Sequence, residues 1–478
     1  MIVGRLKELA RHSAIYGLGS VVSTLIAVFL LPLYTRYLTR SDYGAIETLV
    51  AASAVLTIFL QAGINSAFFR FYFDSAEPEE RNRVVRTSFW FTMGGATVGL
   101  ALGVLFAPEI SSLLFATHAR AGLVRAAAVM LWANLNYQQM TSLFRVEQRS
   151  FAFVVASLTN VLITIGATIL LVVGLHKGAV GALVGNFVGT LCVYFPLLAY
   201  RRFQLGLQFD RRLLRQMNAF GLPLVPSALA LWVNNFSDRL FLVKLAGAGE
   251  VGLYSIGIRV SSAIVLLLTA FRTAWPAFAY SIEDDREARS TYGYVLTYVL
   301  LIVCWAALAL GALGPWIVDS LTTPRFSSAQ RVVALLAFSN AAKAAFMVVS
   351  IGIGRARRTR FNWIITGAAA AVNIGLNLAL IPPYGMIGAA ISTLVSFSFM
   401  FAFMAWHAQR VYPVPYQWRR IVTLVGAAAA LNVIAALVDA PLPLAVALVV
   451  AYPLVLLPLG FYLPAERTRL RRLVPMLR

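Results

Sequence analysis

The chain has 478 residues, with 40 Lys and Arg against 19 Asp and Glu, and is 60% hydrophobic but only 12% charged. A soluble domain carries about 25% charged and about 45–50% apolar residues, and roughly three such domains would be needed here, each with a polar surface. The composition excludes a soluble enzyme and requires a polytopic membrane protein, whose net charge of +21 reflects loops facing anionic lipid rather than nucleic acid.

A membrane-crossing helix takes about 20 mostly apolar residues. The basic start (Arg5, Lys7, Arg11) leads into an apolar run over 13–34. That run is too long for a secretion signal and lacks a small-residue cleavage site, so it is the first predicted span. Further runs lie near 44–69, 88–107, 121–143, 151–174, 178–200, 219–241 and 251–273. Six more follow near 293–314, 330–351, 362–382, 386–408, 421–438 and 443–462, which makes fourteen. The fourth, thirteenth and fourteenth are polar, short or proline-interrupted. With the N-terminus inside, 29 of the 40 basic residues fall on inner segments and 9 on outer ones. A missing helix would invert that bias downstream, so both termini are predicted to be cytoplasmic. Cys192 and Cys304 lie inside apolar runs and imply neither a disulfide framework nor a metal cluster.

The chain repeats itself. Tyr16-Gly17-Leu18 matches Phe220-Gly221-Leu222, and Asp42-Tyr43-Gly44 matches Glu250-Val251-Gly252. Asn160 matches Asn373, and the turn beginning at Gly178 matches the turn beginning at Gly385. Spans 1–6 and 7–12 therefore form two six-helix repeats in the same orientation, an arrangement that secondary transporters use to enclose a substrate cavity. The expected organisation is an N-terminal lobe over 1–203, a C-terminal lobe over 204–409, and two extra helices with a basic cytoplasmic tail over 410–478.

"YGLGSVVSTLIAVFLLPLYTRYLTRSDYGAIETL" and "INSAFFRFYF" resemble the N-terminal signature of polysaccharide-repeat-unit flippases. These are the Wzx-like oligosaccharide flippases of the MATE/MOP exporter superfamily. "DRLFLVKLAGAGEVGLYSIGIRVSS" is similar to the opening of their second lobe, and "GAVGALVGN" and "PPYGMIGAAIST" to their recurring turns. The resemblance implies an all-α, V-shaped pair of lobes in the bacterial inner membrane. It further implies alternating access that carries a polyprenyl (undecaprenyl)-pyrophosphate-linked oligosaccharide outward for O-antigen, capsule or exopolysaccharide. A polysaccharide polymerase and a chain-length regulator are the implied protein partners. No resident cofactor is expected, and coupling is to a proton or sodium gradient.

An ionised group near the bilayer midplane costs about 2.5–3.5 kcal/mol on insertion scales, so it lines a wet cavity or meets a partner. Arg259 lies inside span eight and Lys343 inside span ten, with no acid near either in sequence. An anionic headgroup would satisfy both, and the guanidinium fork suits phosphate oxygens; the alternative is snorkelling or pairing with a distant acid such as Glu47 or Asp238. Arg70 and Arg272 mark the inner mouth, and a basic mouth attracts a pyrophosphate. Arg36 and Arg239 occupy near-equivalent outer ends of spans one and seven. Arg145 and Arg355 mark further span ends, where most arginines anchor topology. Among the amides, Asn235 is open between sugar contact and helix packing, whereas Asn160 and Asn373 read as structural.

Glu47 is the acid well inside a span, and a carboxylate in low dielectric can be raised towards neutrality, as ion coupling requires. Asp238 and Asp42 join it as coupling candidates, against an ion pair for Asp238 and helix N-capping for Asp42. The ridges Gly95/Gly99/Gly103 and Gly181/Gly185/Gly189 are packing surfaces. No catalytic or metal constellation is visible, so no enzyme is expected. The rivals are a MATE-type multidrug/cation antiporter, a peptidoglycan-precursor (lipid II) flippase and a membrane glycosyltransferase. The antiporter commonly carries an acid in its first span, which Ser13–Tyr34 lacks.

Overall fold

The computed structural model describes residues 30–75, 77–358 and 361–464. The first predicted span, its Tyr16-Gly17-Leu18 motif and the basic tail lie outside these residues, except that α1 (Leu31–Tyr37) takes up the end of the 13–34 run. The protein is built of helices, and ten described helices are long and apolar enough to cross a membrane.

The 44–69 run is not one helix. α2 (Arg40–Gln61) ends where Ala62 and Gly63 turn left-handed, and α3 (Ile64–Phe71) restarts the chain. The cause is a tertiary contact: a Cβ on Gly63 would stand 2.2 Å from the carbonyl oxygen of Gly221, so the break lets two backbones touch. α4 (Pro78–Leu105) is followed by the short α5 (Ala107–Phe115). α6 (Ala121–Val146) has the length of a span but is not one of the ten, its Arg125 and internal amides making it more polar. α7 (Ser150–Ile169) ends in one π-helical turn, Leu170–Gly174, and α8 (Gly178–Leu205) follows.

The seventh span starts earlier than its apolar run. α9 (Arg211–Gly221) is capped by Asp210 and joins α10 (Val225–Leu245) through one 3-10 turn. The eighth is two helices, α11 (Ala248–Ser261) and α12 (Ala263–Ser281), parted at Ser262. Then come α13 (Asp285–Ala312), α14 (Gly314–Leu321) and α15 (Gln330–Arg355). Predicted spans eleven and twelve run together as α16 (Asn362–Val411), which is non-helical only at Gly385. Its 50 residues rise about 75 Å at 1.5 Å each, enough to cross twice. α17 (Trp418–Leu437) and the short α18 (Leu442–Val455) complete the chain.

Two compact units emerge. One holds the chain up to Ser255 together with Ala370–Ala389, and the other holds Ile256–Ala369 with the chain from Ala390 onward. In the first, α3, α4, α6, α8 and α9 bury Ile64, Phe68, Phe89, Met140, Tyr194 and Met217 together. There α7 and α8 pack backbone to backbone. Added Cβ atoms on Gly185 and Gly189 would meet Thr168 N at 2.7 Å and Thr164 N at 2.6 Å, the close approach that a small-xxx-small ridge permits. In the second unit, α13, α15 and α17 pack around Leu296, Leu300, Cys304, Val348 and Leu424. Lipid is as apolar as leucine, so such cores hold by van der Waals fit rather than by expulsion from water.

Gly178 (φ 55) and Gly385 (φ 54), matched in the sequence repeat, both have positive φ. A side chain there would be strained.

Candidate functional site

The first unit contains a buried polar cluster built by α2, α10, α11 and α16. α2 starts with a capping box: Thr39 Oγ1 accepts from Asp42 N, and the Asp42 carboxylate accepts from Thr39 N and Oγ1. Asp42 thus does the work of a helix start, the capping role weighed against ion coupling.

Glu47 lies five residues further on and is buried. Its Oε2 stands 3.8 Å from Arg239 Nε, with 8% of each side chain exposed. The two helices are antiparallel, because Trp232 Nε1, earlier on α10, donates to Ala51 O, later on α2, at 3.0 Å. Arg239 also donates to Asn235 O (3.1 Å) and lies 5.2 Å from the Phe236 ring centroid.

Asp238 is next to Arg239 in sequence but points elsewhere, since i,i+1 residues do not share a helix face. It accepts from Tyr254 Oη of α11 (2.6 Å) and Asn377 Nδ2 of α16 (3.0 Å). Asn377 Nδ2 and Ser237 Oγ both reach Asn373 Oδ1, at 3.0 and 3.1 Å. Asn373 therefore packs helices, as does Asn160 through Thr190. At the same end the backbones meet: a Cβ on Gly44 would fall 1.7 Å from Ala248 O and 2.8 Å from Gly252 N. Glu250 Oε2 accepts from Met386 N (2.9 Å), holding the half of α16 that follows Gly385.

The remaining predicted residues are spread out. Arg70 is exposed and pairs with Asp74 one turn on (3.5 Å), a surface pair worth about 0–1 kcal/mol. Arg36 is exposed on α1, unlike its counterpart Arg239. Asn235 is half-buried, its amide bonded back to Leu231 O at 2.6 Å.

Three basic candidates belong to the second unit. Arg259 is half-buried near the end of α11, where Ser262 Oγ caps its carbonyl at 2.6 Å. Lys343 is half-buried on α15, with Nζ 5.0 Å from the Phe397 ring centroid. Arg272 is exposed on α12.

In two anchoring groups the partners were not given by the sequence, although Arg355 was read there as a span-end anchor. Glu147, at the end of α6, receives Arg201 of α8, with Nη2 at 2.6 Å from Oε2, and Arg201 lies over the Phe144 ring at 5.2 Å. Arg355 Nε donates to Asp285 Oδ1 (2.8 Å), and its Nη2 donates to Glu283 O (3.2 Å), tying α15 to the start of α13. Arginines at span ends gave the only sequence signal, and it does not name their partners. Among the described residues, no three His, Cys, Asp or Glu side chains gather as a metal site.

A family described as polysaccharide biosynthesis protein matches residues 33–331. The lipid III flippase of Escherichia coli is 23% identical over 81% of this chain and 92% of its own. An uncharacterized membrane protein of Methanocaldococcus jannaschii is 26% identical over 42% of this chain, and the match spans only 41% of that relative. Among solved structures, the lipid II flippase MurJ in an inward closed conformation superposes with a TM-score of 0.74 at 12% identity, covering 94% of this chain and 98% of that one. An inward-facing MATE multidrug transporter of the MOP superfamily gives 0.69 at 14% identity, covering 81% and 94%. These likenesses establish a MOP-type fold.

Proposed function

The chain belongs to the polysaccharide biosynthesis protein family, and from that premise we propose that it flips a polyprenyl-pyrophosphate-linked oligosaccharide across the bacterial inner membrane. The observation that carries this reading is the placement of a cation, Lys343, inside the span α15, with Arg259 in the same compact unit. Charge-assisted hydrogen bonds from such cations suit diphosphate oxygens. A cationic drug would be repelled. The likeness to the lipid III flippase supports a lipid-linked cargo, and the polymerase and chain-length regulator are its proposed protein partners.

In this reading the diphosphate enters past Arg70 and Arg272 and is held by Arg259 and Lys343. Arg36 lies at the outer exit, and Asn235 offers an amide to sugar hydroxyls. The two six-helix lobes then rock about the headgroup while the polyprenyl tail stays in lipid. Ion coupling falls to Glu47, with Asp238 beside it. Protonating Glu47, or binding sodium there, cancels its attraction for Arg239 and removes one of the ties between α2 and α10, leaving that of Trp232 to Ala51. Asp42 is committed to its capping box and plays the lesser part.

The test is made in cells carrying Arg259→Ala or Lys343→Ala at normal protein level. The polyprenyl-linked oligosaccharide should accumulate on the cytoplasmic face, and mass spectrometry of that lipid identifies the cargo, distinguishing a repeat unit from a peptidoglycan precursor. Undiminished surface glycan with an unchanged lipid pool would overturn the reading.

A further inference from the structure

The first unit carries a basic cleft that the transport reading does not use. It has a volume of about 600 Å³ and lies between the start of α4, which supplies Arg83 and Thr87, and the start of α9, which supplies Arg211 and Arg212. The acid on its wall, Asp210, is spent on the helix start, where Oδ1 accepts from Arg212 N and Leu213 N, both at 2.9 Å. Neighbouring Arg86 is tied to Glu79 (2.9 Å) and Gln208 (2.5 Å). Arg83, Arg211 and Arg212 are exposed, and among the described residues no acid pairs with them. An adjoining cleft brings Asp74 and Glu80 near Arg83 and Arg212, but Asp74 is engaged by Arg70.

The same segment exposes apolar side chains beside the arginines. Phe203 is 81% and Leu207 88% exposed, and Phe209, on the cleft wall, 43%. α9 itself turns Arg211, Arg212 and Arg215 outward and buries Met217. A helix with arginines on one face, preceded by bare phenylalanine and leucine, suits the boundary between headgroups and acyl chains. Guanidinium forks meet phosphate oxygens two at a time.

We propose that this cleft binds an anionic glycerophospholipid, its phosphate between Arg83, Arg211 and Arg212 and its acyl chains along Phe203 and Leu207. The lipid pins the connection between the two repeats to its leaflet. It is a site for membrane lipid, separate from the cargo path of Arg259 and Lys343.

Native mass spectrometry of the full chain in detergent tests this, with phosphatidylglycerol and phosphatidylcholine as probes. The wild type should retain one phosphatidylglycerol in preference to phosphatidylcholine. The variant Arg83→Gln/Arg211→Gln/Arg212→Gln, altered only at exposed positions, should lose that preference at least tenfold at an unchanged melting temperature. Phe203→Ser/Leu207→Ser, which keeps every charge, should also weaken retention. Equal retention by the arginine variant would overturn the site. Loss in the arginine variant alone, or displacement of the lipid by inorganic pyrophosphate, would make the cleft a plain phosphate site and overturn the lipid assignment.

Discussion

With 8% of either side chain exposed, replacing Glu47 or Arg239 alone takes an ion-pair partner from a charge buried among helices. Arg239→Met is therefore expected to destabilise the protein by about 3–5 kcal/mol, read from thermal unfolding in detergent. The pair Glu47→Leu/Arg239→Met exchanges two charges for apolar groups of similar volume and should return close to wild-type stability, because burying the ion pair itself costs desolvation. A double variant no more stable than the single would mean the two charges are uncoupled. Export separates structure from mechanism: the folded double variant should transport nothing if Glu47 is the ion-responsive group. A second residue-scale outcome concerns pH. Burial alone would raise the Glu147 carboxyl, but the hydrogen bonds and charge of Arg201 more than reverse this and hold it below the ordinary value. A depressed acid lends stability above its unfolded value of about 4.3 and loses it as the pH falls through the folded value. The melting temperature of the wild type should fall on acidification below about pH 5, and Glu147→Gln should flatten that fall; parallel curves would show that the pair contributes nothing.

Helices in this protein meet where side chains are missing, and that makes substitutions at the level of whole elements sharply unequal. A Cβ on Gly44 would overlap the Ala248 carbonyl, whereas one on Gly94 meets nothing within 4 Å. Gly44→Ala must push α2 from α11, an overpacking cost of about 1–3 kcal/mol, and Gly94→Ala should be neutral or stabilising by up to about 1 kcal/mol through helix propensity. Equal melting temperatures for the two variants would refute the close packing of α2 on α11. These contacts also mark where sequence reading succeeds and where it stops. The Gly181/Gly185/Gly189 ridge was legible because small residues four apart must share a helix face, and the structure packs it against Thr164 and Thr168. The break at Gly63 was not, because hydropathy reports what lipid tolerates and is blind to the Gly221 backbone packed against it, and nothing in the sequence marked the break at Ser262. Glu47 stood out as an acid inside a span, yet its pairing with Arg239 comes from tertiary packing, and Arg239 looked like an ordinary span-end anchor. Asp238 and Asn377 likewise carried no mutual signal, since their contact depends on how the first half of α16 packs against α10.

At the scale of the whole molecule, the basic residues set the direction in which a headgroup would travel. Each Lys or Arg near an anionic leaflet is worth about 1 kcal/mol, so the division of basic residues expected from the sequence, 29 inner against 9 outer, predicts one orientation strongly. Lys177, exposed just before Gly178, should face outward, and Gln208, exposed beside the Arg83 cleft, should face the cytoplasm. With Cys192 and Cys304 replaced by serine and alanine, Lys177→Cys should react with a membrane-impermeant maleimide on intact cells. Gln208→Cys should react only after the membrane is opened. The two outcomes are bound together, because the chain between them contains α8, one crossing long, and labelling of both from one side would remove that crossing and the repeat built on it. Reversal of both would preserve the fold but turn the Glu47–Arg239 cluster towards the cytoplasm. Arg70, the proposed point of entry, would then face outward, and a flippase loading its cargo from inside would have its attracting charges on the wrong face. The orientation is thus a premise of the transport direction, and this labelling pattern decides it without any knowledge of the sugar carried.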